Sequence, residues 1–283
     1  MITHWRKSTL KTLLEGCSWQ WALENIYKQK GHGSPQTALG TGYHKAMEMY
    51  ETNLRTNSLK ELKDIAAEAA MDECRKLPMS VWFEHELDPQ WVIDNAREAV
   101  RLWWEKPTHR EGLTLKQIGD SRKFIAAEKH IVVDGFSGTL DAIYEDDTHY
   151  ILVDHKTASS FRKWTYEQGE TIEANVYMLL AAMEYDDKPC RFEWQVVSPK
   201  EQGTRRIDGG EQTTSSVLML TSAVATANTI VEHDAYRPRP DWNLCSPKWC
   251  AFFQGCRGDG TLSPYTLTVS NKPSDGSSTA SEN

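Results

Sequence analysis

Two short acidic segments in the middle of the chain decide the fold: Gly138-Thr-Leu-Asp141 and Ile151-Leu-Val-Asp154-His155-Lys156. Both carry apolar residues typical of buried strands, and Asp146-Asp147-Thr148 between them is typical of a turn. The sequence therefore predicts a β-hairpin with strands at 138–145 and 150–156.

The spacing within this hairpin predicts an acidic pocket. Asp154 and Lys156 are two residues apart, so their side chains leave the same face of the sheet, whereas His155 points the other way. In an antiparallel hairpin the numbers of paired residues have a constant sum. An odd sum places Asp141 on the face of Asp154, and an even sum places it on the opposite face.

Two carboxylates held that close repel each other, and a divalent cation between them removes the repulsion. A lysine beside the cation can hold an attacking water and stabilise the negative charge that develops on a phosphate. The hairpin therefore predicts metal-assisted phosphodiester hydrolysis. The alternative is an ordinary polar hairpin with one Asp–Lys surface contact, which contributes about 0–1 kcal/mol.

The rest of the chain predicts a mixed central sheet flanked by helices, an α/β (α+β) fold with a helical N-terminal part and a Cys-rich C-terminal knot. Apolar periodicity and turn residues predict helices at 8–29, from a cap at Thr41 to 53, and at 58–76, 89–105, 171–185 and 213–234, with further strands at 124–133 and 191–198. Gly-rich residues 31–42 are predicted to form a loop.

One domain is predicted at 1–267, comprising a helical part at 1–106, a catalytic core at 107–240 and a Cys-rich segment at 241–267. Residues 268–283 are polar and small, and they are predicted to form a flexible tail.

Composition limits the classes of function. The 283 residues carry a net charge of −8, with 25% charged and 39% hydrophobic residues, which is typical of a soluble globular protein. The acidic balance argues against a protein that coats nucleic acid through bulk charge, but a local groove can still bind it. The longest clean apolar run, 176–183, is too short for a membrane span, and the N-terminus lacks a signal-peptide pattern. We expect a cytoplasmic protein with no membrane partner.

The C-terminal segment Cys245-Ser-Pro-Lys-Trp-Cys250-Ala-Phe-Phe-Gln-Gly-Cys256 brings three of the six cysteines together. In a reducing compartment such a group suits a soft metal centre better than disulfides. A tetrahedral thiolate site needs a fourth ligand, for which Cys17 is the natural candidate. Cys74 and Cys190 are predicted to be buried apolar residues.

The hairpin segments resemble the G-x-x-D and (D/E)-x-K motifs of the PD-(D/E)XK nuclease superfamily, and more narrowly those of its RecB-like branch. The resemblance implies that Asp141 and Asp154 bind a catalytic Mg²⁺ or Mn²⁺ and that Lys156 assists the attacking water. It also implies that His44 and the backbone carbonyl of His155 complete the metal shell. Glu128, on the preceding strand, is a candidate accessory acid, or else a solvent-facing glutamate.

The branch also carries a Q-x-x-x-Y motif on the helix after the D-x-K strand, and Glu173-Ala-Asn-Val-Tyr177 occupies that place here. The resemblance implies a catalytic role for Tyr177, with a half-buried helix residue as the alternative. Glu173 replaces the glutamine. Because a carboxylate repels DNA phosphate, Glu173 would instead approach a metal ion or a lysine.

Members of the branch, such as AddB-type helicase–nucleases and CRISPR adaptation nucleases, hold a 4Fe–4S cluster with one cysteine before the nuclease core and three after it. Cys17, Cys245, Cys250 and Cys256 match that layout. The cluster would join the two ends of the chain around the core. Zinc, or thiols without a ligand, are the alternatives.

The resemblance implies a deoxyribonuclease, and an exonuclease acting on DNA ends or single strands is favoured. A catalytically weak DNA-binding or scaffold module and a restriction-like endonuclease are the alternatives. The size resembles that of small phage or CRISPR-linked members, so recombination, CRISPR or phage proteins are candidate partners. Basic pairs in an acidic chain are usually solvated, as expected for Arg6 and Lys7. Four basic residues are candidate DNA ligands: Arg122, Lys123, Arg162 and Lys163.

Overall fold

A six-stranded mixed sheet lies at the centre of the protein. The structure is a computed structural model that describes residues 4–133, 135–164, 171–242, 244–264 and 266–267. The strands are β1 Trp5–Arg6, β2 Lys123–Val133, β3 Phe136–Glu145, β4 Tyr150–Thr157, β5 Cys190–Ser198 and β6 Gly203–Glu211. The tail predicted at 268–283 lies outside the described residues.

The strand order places β4 in the interior of the sheet. It pairs antiparallel with β3 and parallel with β5, and β6 pairs antiparallel with β5 at the edge. Strand β2 pairs antiparallel with β3 along the whole length of β3, and β1 pairs parallel with the start of β3. Residues 150–155 are all buried, because helices cover both faces of the sheet at this point.

Nine α-helices surround the sheet in the described part of the chain: α1 Lys7–Leu14, α2 Ser18–Asn25, α3 Pro35–Thr52, α4 Leu59–Cys74, α5 Met79–His85, α6 Pro89–Glu105, α7 Leu115–Asp120, α8 Ile172–Glu184 and α9 Thr214–Glu232. Helices α3, α4 and α6 form one core with Val197 of β5. Helices α1, α2 and α8 form another with Leu152 of β4 and Trp194 of β5. A Cβ on Gly42 would lie 2.5 Å from the Ala66 carbonyl oxygen, so glycine permits the close approach of α3 and α4.

The predicted fold class is confirmed, and so are the hairpin, its neighbouring strands and helix α6. The prediction for residues 31–53 was wrong. Helix α3 begins at Pro35, because the Ser34 hydroxyl accepts the Thr37 N–H at 3.2 Å and proline fits the first helical position. Thr41 lies inside the helix and donates to the Thr37 carbonyl.

Other boundaries also differ from the sequence prediction. The helix predicted at 8–29 is two helices, which are separated at 15–17. Strand β6 and the short helices α5 and α7 were not predicted. Strand β6 escaped detection because its sequence, GTRRIDGGE, is polar and glycine-rich, as an edge strand can be.

Helix α9 has the length and composition to cross a membrane, alone among the described helices, and 17% of its most apolar window is buried in the fold. Its apolar character comes from Val, Leu, Met, Ala and Ile mixed with Ser and Thr rather than from one long apolar run. The absence of a membrane partner therefore stays a prediction.

Candidate active site

The site begins where β3 and β4 separate. Ala142 pairs with Val153, so the register has the odd sum that the pocket requires, and Asp141 lies level with Asp154. Beyond this pair the Asp141 side chain replaces a backbone partner, since its Oδ2 accepts the His155 N–H at 2.7 Å. This hydrogen bond fixes the Asp141 carboxylate between β3 and β4, at the point where the two strands separate, which we call the strand fork.

A third carboxylate lies in the same row. The pairing of Ala127 with Ala142 and of Lys129 with Leu140 brings Glu128 level with Asp141. Glu128 has φ of +47°, a left-handed conformation that costs a non-glycine residue about 1–3 kcal/mol and that clusters at functional sites. Residues 128, 141 and 154 therefore form a row of acids across three strands, which we call the acid row.

Helix α3 adds a nitrogen ligand to the acid row. His44 Nδ1 lies 3.2 Å from Asp141 Oδ2. One ligand atom each from His44, Glu128 and Asp141 falls within 4.8 Å of the other two. An imidazole nitrogen with two carboxylate oxygens is a donor set that fits Mn²⁺ or Mg²⁺. The structure thus brings Glu128, a candidate accessory acid, into the centre of the site.

The electrostatics of this group also favour a cation. Partial burial, followed by the charges of Asp141 and Glu48, raises the pKa of Glu128 to about 7. The pKa of Asp141 is raised mainly by burial and further by Asp154, although His44 opposes the rise. Both carboxylates therefore lie in surroundings that disfavour their charged forms, and a bound dication would reverse that preference.

Asp154 is in a different environment from the other two acids. Its buried carboxylate lies 2.5 Å from Lys156 Nζ and 2.9 Å from Lys7 Nζ. Burial alone would raise its pKa, but the two ammonium groups lower it. Asp154 therefore remains ionised beside the trio of His44, Glu128 and Asp141. The His155 N–H contacts Asp141, and the role of the His155 carbonyl as a metal ligand stays a prediction.

Lys7 is the site residue that the sequence analysis missed. Its Nζ lies 2.6 Å from Glu173 Oε1, and Lys156 Nζ lies 3.1 Å from the same oxygen. Lys7 Nζ also lies 4.4 Å from the centroid of the Tyr177 ring. Lys7 was expected to be solvated as part of a basic pair. The signal that could have identified it is Glu173 itself, whose unusual charge requires a cation.

Tyr177 is fully buried, not half-buried, and its ring stacks on Phe192 with centroids 5.7 Å apart. A Cβ on Gly138 would lie 2.8 Å from Leu180 and 3.2 Å from the Tyr177 ring. The glycine of the G-x-x-D segment is therefore needed for helix α8 to pack on β3. The catalytic role of Tyr177 stays a prediction.

The four candidate DNA ligands fall into two pairs. Arg122 forms two hydrogen bonds with the buried Glu193, at 2.7 and 3.0 Å, and Lys123 pairs with Glu145 at 2.6 Å. These partners give Arg122 a structural role. Arg162 and Lys163 instead line a cleft at the end of β4.

The four cysteines with candidate ligand roles do not form a cluster among the described residues. Burial raises the pKa values of Cys245, Cys250 and Cys256, that of Cys250 to about 11, and the Cys17 thiol adds to all three shifts. Among the described residues, however, no three cysteine sulfurs lie within 4.8 Å of one another. The described cysteines therefore do not form a ready-made tetrahedral thiolate site. Cys74 and Cys190 are buried, as predicted.

The family model of the PD-(D/E)XK nuclease superfamily matches residues 7–257. The chain belongs to the PD-(D/E)XK nuclease superfamily. The match begins at Lys7 and includes the acid row. Membership indicates a nuclease, that is, a phosphodiester hydrolase with DNA as its substrate, and nucleases of this superfamily usually use Mg²⁺ or Mn²⁺.

Among solved structures, the chain is similar to the crystal structure of SSO0001, with 14% identity over 95% of this chain and 98% of that chain. The TM-score is 0.30, so this similarity adds no argument about the site. No curated protein matches the chain.

Proposed function

We propose that this PD-(D/E)XK nuclease is a Mg²⁺- or Mn²⁺-dependent deoxyribonuclease whose metal is held at the acid row. The observation that carries the proposal is the convergence of His44, Glu128 and Asp141 at the strand fork, with their ligand atoms within 4.8 Å of one another. Asp154 and the carbonyl of His155 are the remaining candidate ligands. A cation there would polarise the phosphate and lower the pKa of a bound water.

Lys156 supplies positive charge next to this centre. Burial alone would lower its pKa, but Asp154 and Glu173 raise it, so the side chain is an ammonium group with N–H donors. It can therefore donate to an attacking water or to a phosphate oxygen and stabilise the negative charge of the transition state.

Lys7 and Glu173 act in this proposal as positioning residues. Lys7 Nζ joins Asp154 and Glu173, and Glu173 also holds Lys156. Because each carboxylate has an ammonium partner, a glutamate can stand at the position of the glutamine in the Q-x-x-x-Y motif. The pair fixes the rotamers of both Asp154 and Lys156.

We assign the chain to the RecB-like branch and propose an exonuclease that acts on DNA ends or single strands. The Glu173–Tyr177 spacing on helix α8, directly after the D-x-K strand, supports the branch. A nuclease assay on linear and covalently closed circular DNA with Mg²⁺ or Mn²⁺ tests this. Degradation of linear DNA alone is expected. Nicking of circles would indicate an endonuclease, and no cutting with either metal would leave a DNA-binding or scaffold module.

We further propose that Cys17, Cys245, Cys250 and Cys256 hold a 4Fe–4S cluster that joins the chain ends around the core. A zinc site with Zn–S bonds of about 2.3 Å needs sulfurs roughly 3.8 Å apart. A 4Fe–4S cluster is larger than a zinc ion, so its four thiolate ligands lie further apart than those of a zinc site.

Purification without oxygen, followed by iron, sulfide and zinc analysis, tests the cluster. Brown protein with about four iron atoms per chain is expected. Cys250→Ser should lower the melting temperature more than Asp141→Asn does. A colourless zinc-loaded protein would contradict iron, and an unchanged melting temperature would contradict the structural role.

A further inference from the structure

A cleft of about 820 Å³ lies at the end of β4, the strand that carries Asp154 and Lys156. Its walls come from the start of α3, the end of α5, the start of α6, the end of β4 with the residues after it, the turn after β5 and the Cys-rich segment. Thr157 and Ala158 line the cleft and directly follow Lys156. Helix α3 contributes Gln36 at one end and, two turns further along, His44 of the acid row. The cleft therefore begins one residue beyond Lys156 on β4 and about two turns before His44 on α3.

The lining combines aromatic rings with positive charge. Trp91, Trp164 and Trp249 contribute rings, and Trp249 is 42% exposed. Four basic side chains lie around them: Arg162, Lys163, Lys200 and Lys248. None of the described lining residues is Asp or Glu, although the whole chain has a net charge of −8. The cleft is thus positively charged, although the chain as a whole is acidic.

Two polar atoms in this lining lack a hydrogen-bond partner. His85 is 3% exposed and its Nδ1 is unpartnered, as is the buried Oε1 of Gln36. The His85 ring meets Trp249 edge to face, with centroids 5.0 Å apart. A buried polar atom without a partner destabilises the free protein, and a ligand with donors or acceptors on its edge would supply the missing hydrogen bond.

We propose that this cleft binds unpaired nucleotides of single-stranded DNA and directs that strand to the acid row. A nucleobase offers a π-face for Trp249 and polar edges for His85 and Gln36, and its phosphates match the basic rim. A duplex hides its base faces in the stack, so the cleft selects unpaired nucleotides. The inference deepens the proposed nuclease function, on which its choice of DNA rests.

The test measures binding without cutting. Fluorescence anisotropy of a labelled oligo-dT strand, in EDTA and at several salt concentrations, is compared with that of a blunt duplex. The wild type is expected to prefer the single strand. Trp249→Ala should weaken its binding by about 5- to 150-fold, whereas Trp249→Phe should retain most of it. Phe83→Ala, an exposed aromatic residue outside the cleft, is the matched control.

Lys200→Ala lies outside the Cys-rich segment, and it tests the cleft through the salt dependence of DNA binding. For single strands each phosphate contact contributes about 0.7 to the slope of log K against log salt, so this variant should lower the slope by about that amount. Lys60→Ala, an exposed lysine on α4, should leave the slope unchanged.

The outcomes separate this inference from the proposed nuclease activity. Wild-type binding and cutting that Trp249→Ala and Lys200→Ala leave unchanged would overturn the cleft and keep the nuclease. Binding that depends on both residues, without cutting under any metal, would keep the cleft and overturn the nuclease. Full competition by free dTMP at concentrations equal to those of the oligonucleotide would indicate a small-molecule pocket and overturn the inference.

Discussion

Two regions of the same sheet hold acidic side chains, and the surroundings of these side chains differ. Glu193 on β5 accepts two hydrogen bonds from Arg122, one from Arg206 at 3.1 Å and one from Gln195 at 3.1 Å. Burial would raise its pKa, but the guanidinium groups lower it. In the acid row Asp154 resembles Glu193, because two ammonium groups lower its pKa, whereas the pKa values of Glu128 and Asp141 are raised.

The difference separates a structural charge from a functional one. At Glu193 the protein supplies the neutralising cations itself, so the group is complete without a ligand. At Glu128 and Asp141 the repulsion is left in place, and a left-handed backbone at Glu128 adds strain. Such repulsion and strain destabilise the free protein, and they are expected at a site where a bound ligand offsets them.

The largest effect on stability is expected at the structural carboxylate. Glu193→Gln leaves two arginines without their buried counter-charge, which should lower the free energy of unfolding by about 3–5 kcal/mol in urea denaturation. Glu98→Gln, at a partly exposed pair with Arg101, should cost at most about 1 kcal/mol. Equal losses in the two variants would remove the distinction between the regions.

The stability of Glu193→Gln should also depend on pH differently from that of the wild type. The pKa of folded Glu193 lies below its unfolded value, so its contribution is present above the ordinary carboxyl pKa and is lost as pH falls through the lowered value. The unfolding free energy of Glu193→Gln should therefore fall less on acidification than that of the wild type. A parallel acid dependence in the two proteins would contradict this.

The opposite pattern is expected at the acid row. Asp141→Asn should reduce DNA cutting by at least about 100-fold, because loss of even an outer partner of a metal ligand costs about 10- to 100-fold. Its melting temperature in EDTA should equal or exceed that of the wild type, since a repelling charge is removed. Retained cutting would show that Asp141 is not a ligand.

The sequence predicted the hairpin and its register requirement because alternation and turn residues are local signals. The role of Glu128 remained ambiguous in the sequence. Glu128 lies level with Asp141 only because of the register between β2 and β3, and no local sequence signal determines that register. Lys7 was missed for a similar reason. Nothing near Lys7 in the sequence indicates that α1 packs against α8 and brings its ammonium group to Glu173.

A smaller effect is expected from the Lys7–Glu173 pair. Lys7→Met and Glu173→Gln should each lower the cutting rate, and the double variant should be less impaired than the two single effects predict. The coupling energy should be about 0.5–3 kcal/mol, as for residues in one network. Additive effects would show that the pair does not position Asp154.

The smallest effect is expected at Glu128, the most exposed acid of the row. Glu128→Gln keeps the side-chain shape and one oxygen ligand, so cutting should fall by about 10-fold or less, which is about 1.4 kcal/mol. Glu184→Gln, at a partly exposed pair with Lys129, is the control and should cut normally. A loss as large as that of Asp141→Asn would make Glu128 an essential ligand.

Calorimetric titration of Mn²⁺ into the DNA-free protein tests the central distinction most directly. The wild type and Glu193→Gln, at a temperature where both are folded, should bind Mn²⁺, and Asp141→Asn should lose that binding. Binding by Asp141→Asn as tight as that of the wild type, or no binding by the wild type, would contradict a metal centre at the acid row.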